Sequence, residues 1–156
     1  MKRVVLYFLV IATSCNKYHV EDYIGHAGIS MTTGAVSDIG FLIGGSGPFS
    51  IHWGDGTVQK GKFAQNSVLL VGHIYANNTT SCAITINGDI TSLNVSGLTA
   101  LTGLQCDGNE LQYLALNALF ETLHSNAGKK YISISGNPGS SNCNRSIATN
   151  KGWIFY

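Results

Sequence analysis

The run Leu101-Thr102-Gly103-Leu104-Gln105-Cys106-Asp107-Gly108-Asn109-Glu110-Leu111 spaces its apolar residues as L-x-x-L-x-C-x-x-N-x-L. Leu104 and Cys106 stand two apart, the spacing of a strand with two inward side chains. The polar residues between them face the other way. Gly108 and Asn109 then suit a tight turn in which an amide side chain satisfies backbone groups. Cys106, at an apolar position of this pattern, reads as a small buried hydrophobe.

Partial copies flank the run. Ile90-Thr91-Ser92-Leu93-Asn94-Val95 repeats its beginning, and Ile132-Ser133-Ile134-Ser135-Gly136-Asn137 repeats its strand-and-Asn core. Between them, Leu111, Leu114, Ala115, Ala118, Leu119 and Leu123 recur at helical spacing, ending at Asn126-Ala127-Gly128. Residues 142–150 suit a short helix, and Trp153-Ile154-Phe155 a last strand. Strand–helix–strand alternation favours parallel pairing. The pattern resembles the leucine-rich repeat, and the stretch from Ala115 to Trp153 resembles the C-terminal cap of leucine-rich-repeat surface lipoproteins of Gram-negative bacteria. Residues 89–156 are therefore expected to form a short leucine-rich-repeat α/β solenoid with parallel strands. Alternation places Thr91, Ser92, Asn94, Gly103, Gln105, Asp107, Ser133 and Ser135 on the face opposite the Leu/Ile ladder. They form the candidate binding face, with Asn109 and Asn137 as turn residues.

Upstream, 29–33, 39–43, 49–53, 57–62, 68–75 and 82–87 read as strands separated by Gly, Asn and Ser clusters. Gly44-Gly45-Ser46-Gly47-Pro48 reads as a turn. In Ile51-His52-Trp53-Gly54-Asp55-Gly56-Thr57 a strand ends in a Gly-Asp-Gly turn. Glycines there permit positive φ, and the Asp accepts backbone hydrogen bonds. This segment resembles the WGDG turn of PKD-type (polycystic-kidney-disease repeat) β modules, and His73-Ile74-Tyr75 matches their later H-x-Y element. The resemblance implies an immunoglobulin-like sandwich over 29–88, acting as a spacer or binding module. Gly54, Asp55 and Gly56 are assigned to the turn. Asp55 alone offers too few oxygens for calcium. Trp53 reads as core, or alternatively as a platform for stacking on sugar.

The N-terminus joins Lys2-Arg3 to the apolar run Val4 to Ala12, followed by Thr13-Ser14-Cys15. Charged, apolar and small-residue regions in that order form a signal peptide, and the run is too short for a bilayer of about 30 Å. Ala12-Thr13-Ser14-Cys15 resembles a bacterial lipobox. Residues 1–14 are thus expected to be removed, Cys15 lipidated, and 15–28 left as a tether at the outer membrane or cell surface. Loss of Lys2 and Arg3 would turn the net charge from +1 to −1. Lipidation of Cys15 would leave three of the four cysteines, an odd number that argues against a full disulfide framework. A Cys82–Cys143 bridge stays open at this level.

Nine basic and eight acidic residues leave no counterion-release term for nucleic acid. Paired-carboxylate, HExxH, GxSxG and P-loop patterns are all missing. The sequence therefore points away from an enzyme, from metal binding and from cofactors. It points to a surface lipoprotein that binds a protein or matrix partner, with glycan binding or a purely structural spacer as alternatives.

Overall fold

A computed structural model describes residues 28–65, 67–76 and 81–156. The signal peptide, Cys15 and the tether to residue 27 lie outside them. Eight strands and two short helices follow in order: β1 Gly28–Gly34, β2 Asp38–His52, β3 Val58–Lys62, β4 Val68–Ile74, β5 Ser81–Asn94, β6 Leu101–Gln105, α1 Tyr113–Thr122, β7 Lys130–Ser133, α2 Ser146–Thr149 and β8 Trp153–Phe155.

All eight strands share one mixed sheet, ordered β3-β2-β5-β1-β6-β7-β8, with β4 also pairing with β2. This corrects the expected leucine-rich-repeat α/β solenoid over residues 89–156. Among the described residues strand outweighs helix, 48% against 11%. The expected boundary at residues 88 and 89 falls inside β5, which runs unbroken from Ser81 to Asn94. Its first half pairs with β1, and β2 pairs along both halves. β1 in turn pairs antiparallel with β6. Among the described strands only β6, β7 and β8 run parallel. The 90–95 segment is not the neighbour of β6, because β1 stands between β5 and β6.

The expected turn at 44–48 is also strand, since β2 continues through it with register shifts against β5. Glycine serves close approach here. A Cβ on Gly45 would lie 2.2 Å from the Asp89 carbonyl oxygen and 2.9 Å from Phe63. Glycine within a strand marks such sites as well as turns.

One core runs from end to end. Ile84, Met31, Leu104, Ile132 and Phe155 follow one another across five strands in register. The first four are buried, as are Trp53 and Trp153. α1 is shorter than its apolar spacing suggested, because Leu123 turns extended and buries its side chain. Lys151 Nζ then donates to the Phe120 and Glu121 carbonyls at the helix end, at 3.0 and 2.6 Å, the favourable place for a cation. Cys106 and Cys143 are free thiols, so the Cys82–Cys143 bridge is not formed.

Two buried asparagines hold the turns of the parallel strands. Asn137 Nδ2 donates to the Cys106 and Ile134 carbonyls at 2.7 and 2.8 Å, while its Oδ1 accepts from Leu111 N–H at 3.2 Å. Asn109 Nδ2 donates to the Cys106 and Asp107 carbonyls, and more distantly to that of Gly28. Asn109 Oδ1 is buried without a partner among the described residues. Asn137→Ala strips the Leu111 N–H and the Ile134 carbonyl of these bonds, each costing about 1–3 kcal/mol when left bare, while the Cys106 carbonyl keeps its bond from Asn109. It should therefore destabilise by about 2 kcal/mol or more, and Asn109→Ala by clearly less, as read from urea unfolding midpoints. Leu104→Ala should cost about 2–5 kcal/mol, the range for a cavity at a fully packed site.

Candidate binding face

The sheet's register lines up its outward side chains. His52, Thr85, Ser30, Gln105 and Ser133 form one row across five strands. Ala83, Thr32, Gly103, Tyr131 and Ile154 form the next. At about 4.8 Å per strand, this face is roughly 20 Å wide. Thr32, Gln105, Tyr131 and Ile154 are exposed on it.

Its polar centre is tied down by Asp107. Asp107 Oδ1 accepts from Ser133 Oγ at 2.5 Å and from Ser135 N–H at 2.6 Å. Gln105 Nε2 donates to Asp107 Oδ2 at 3.1 Å. Tyr131 and Tyr156 sit edge to face beside it, centroids 6.4 Å apart. Partial burial, and then the negative charge of Asp107 with a further contribution from Cys106, push the Tyr156 phenol above its ordinary value. The Cys106 thiol is raised chiefly by its complete burial and then by Asp107.

The eight residues expected to share one face divide into two groups. Gly103, Gln105, Asp107, Ser133 and Ser135 come together at β6 and β7. Ser92 and Asn94 sit opposite Gly44 and Leu42 of β2 instead, with Thr91 next to them. Ser30, Thr32, Thr85 and His52, absent from that set, join the face because β1 is inserted beside β6. Only long-range pairing brings them there, and no local pattern announces it. Tyr131 and Ile154 did carry a signal, since each alternates with an inward neighbour.

No family profile, curated protein or solved structure matches this chain. The face is therefore read from its own chemistry. Among the described residues no group of three or more His, Cys, Asp or Glu is placed to hold a metal ion, and no helix is long and apolar enough to cross a membrane.

The Gly-Asp-Gly segment lies elsewhere. Gly54 and Gly56 hold φ of 87° and 95°. Asp55 Oδ1 accepts from Thr57 N–H at 2.9 Å and from Thr57 Oγ1 at 2.6 Å, and Oδ2 pairs with His73 Nε2 at 2.7 Å. Trp53 is 1% exposed. Its ring stacks on His73 at 5.2 Å, and Tyr75 meets the other ring edge-on while donating to the Trp53 carbonyl. Trp53 thus presents no surface on which a sugar could stack. His73 does not link acid to hydroxyl in the manner of a catalytic relay, because Asp55 and Thr57 both meet the same ring nitrogen.

Partial burial works to raise the Asp55 pKa, but hydrogen bonds from Thr57 and from His73, with the His73 charge, outweigh it and hold the carboxyl at about 2. A carboxyl depressed on folding contributes stability above its unfolded pKa, which is lost as pH falls toward the folded value. Thermal midpoints should therefore drop between about pH 4 and pH 2. Asp55→Asn should lower the midpoint at pH 7 and flatten the profile across that window.

Proposed function

We propose that the chain is a non-catalytic lipoprotein of the cell envelope, anchored through Cys15, that binds a protein or matrix partner with the sheet face around Gln105 and Tyr131. The observation that carries this reading is the meeting of a pre-positioned polar cluster with exposed aromatic and apolar side chains on one flat face. Tyrosine is enriched among the few residues that carry most of the binding energy at protein interfaces. Gln105, Asp107 and Ser133 already hold one another, so docking costs little side-chain ordering. Neither row of the face carries a lysine or arginine, which argues against a nucleic-acid phosphate backbone.

A second reading rests on the Tyr131–Tyr156 pair. Two exposed rings beside amide and hydroxyl groups also suit the apolar face and hydroxyls of a sugar, which would make the chain a glycan-binding accessory protein. The full chain in nonionic detergent should be screened on arrays of extracellular-matrix proteins, cell-surface proteins and polysaccharides. The protein reading expects a protein hit that Tyr131→Ala weakens about thirtyfold, the equivalent of about 2 kcal/mol. Gln105→Arg should weaken it as well, with the thermal midpoint unchanged. A polysaccharide hit lost on Tyr156→Ala would replace it with the glycan reading. Silence on all arrays would leave a structural spacer.

A further inference from the structure

The three outer strands of the sheet are protected unequally. At one end, β8 has only three residues, and Arg145 lies over its Phe155 ring, 5.0 Å from the centroid. At the other end β3 and β4 both run along the same long strand, β2. β3 carries Lys60 and Lys62, both exposed, and lysine is the usual guard of a strand edge. β4 reads Val68-Leu69-Leu70-Val71-Gly72-His73-Ile74. It has no lysine, no proline and no register shift against β2. Among the described residues, no strand pairs with its other edge. Its outward side chains are apolar and open, with Leu70 76% and Ile74 80% exposed and Val68 also exposed.

We infer that β4 is a self-association edge, pairing antiparallel with β4 of a second copy of this chain about a two-fold axis at Val71. The strand is complementary to itself in that register. The axis sets Val68 opposite Ile74, Leu69 opposite His73 and Leu70 opposite Gly72. The outward surface of β2 extends the match. Leu42 lies beside Leu70 as a ridge, and Gly40 lies beside Gly72 as a trough. The two-fold brings each ridge into line with the partner's trough, so the leucines meet bare backbone instead of each other. Glycine within a strand marks a place where another backbone approaches closely. His73 is the strand's only titratable group, and its ring is engaged by Asp55 within its own copy. No like charges oppose each other across the axis. A two-fold contact of this kind is closed and uses the same patch twice.

One strand pair buries less than the roughly 1,200–2,000 Å² of a standard stable interface, so the dimer depends on concentration. Sedimentation of the protein in nonionic detergent, from about 1 to about 500 µM, should show a protein mass rising from that of one chain to twice that. Hydrogen exchange should slow in 68–74 over the same range and remain unchanged in β3. Leu70→Lys and Ile74→Lys should each weaken association at least tenfold with the thermal midpoint retained. If either fails to fold, the other serves, and Val58→Lys on β3 is the control that should have no effect. A single-chain mass throughout, a mass growing beyond two chains, or a dimer indifferent to both edge lysines would overturn the inference. It does not depend on what the Gln105–Tyr131 face binds.

Discussion

The strands after residue 100 join the rest of the sheet through β1. This seven-residue strand is hydrogen-bonded to β5 on one side and to β6 on the other. Without it the parallel strands β6, β7 and β8 would have an open edge, and only the packing of α1 on β5 would join their core to that of β2 and β5. With it, Met31 is inserted between Ile84 and Leu104, and two apolar patterns that look independent along the chain become one continuous interior. The outward alternation of the same strand gives Ser30 and Thr32 to the candidate face. Core and surface are thus set by a single placement.

That placement is what sequence reasoning lacks. Alternating residues tell which way a side chain points but not which strand lies alongside. The strand positions, the parallel pairing of the C-terminal strands and the buried turn positions of Asn109 and Asn137 were legible for this reason, since each depends on local spacing. The separation of the chain into two modules was not sound. Gly88 and Asp89 look like a break because glycine commonly ends a strand, yet β5 runs straight through them. Gly44 and Gly45 misled in the same way. Their role is to let β2 lie close against β5, and that role leaves no local trace distinguishing it from a turn.

The candidate site was half legible for a related reason. Gln105, Asp107, Ser133 and Ser135 could be grouped because they recur in neighbouring copies of one pattern. Ser92 and Asn94 follow the same alternation but lie opposite β2, so their outward side adjoins the apolar surface of β4. The Gly-Asp-Gly turn shows the opposite case. His73 and Tyr75 are far from Trp53 in sequence, but their spacing two apart puts both on one side of the chain at the end of β4. There they close over the Asp55 turn and use the ring of Trp53 as part of the core.

The position of β1 also bears on mechanics. A load entering at Gly28 pulls along the axis of a strand bonded on both sides. The cross-strand bonds are perpendicular to that axis, so they resist together in shear instead of opening one after another from an end. A steady pull applied there is shared among the bonds to both neighbours at once. A protein held at its N-terminus while its open face grips something else would strain there first, and would yield there late.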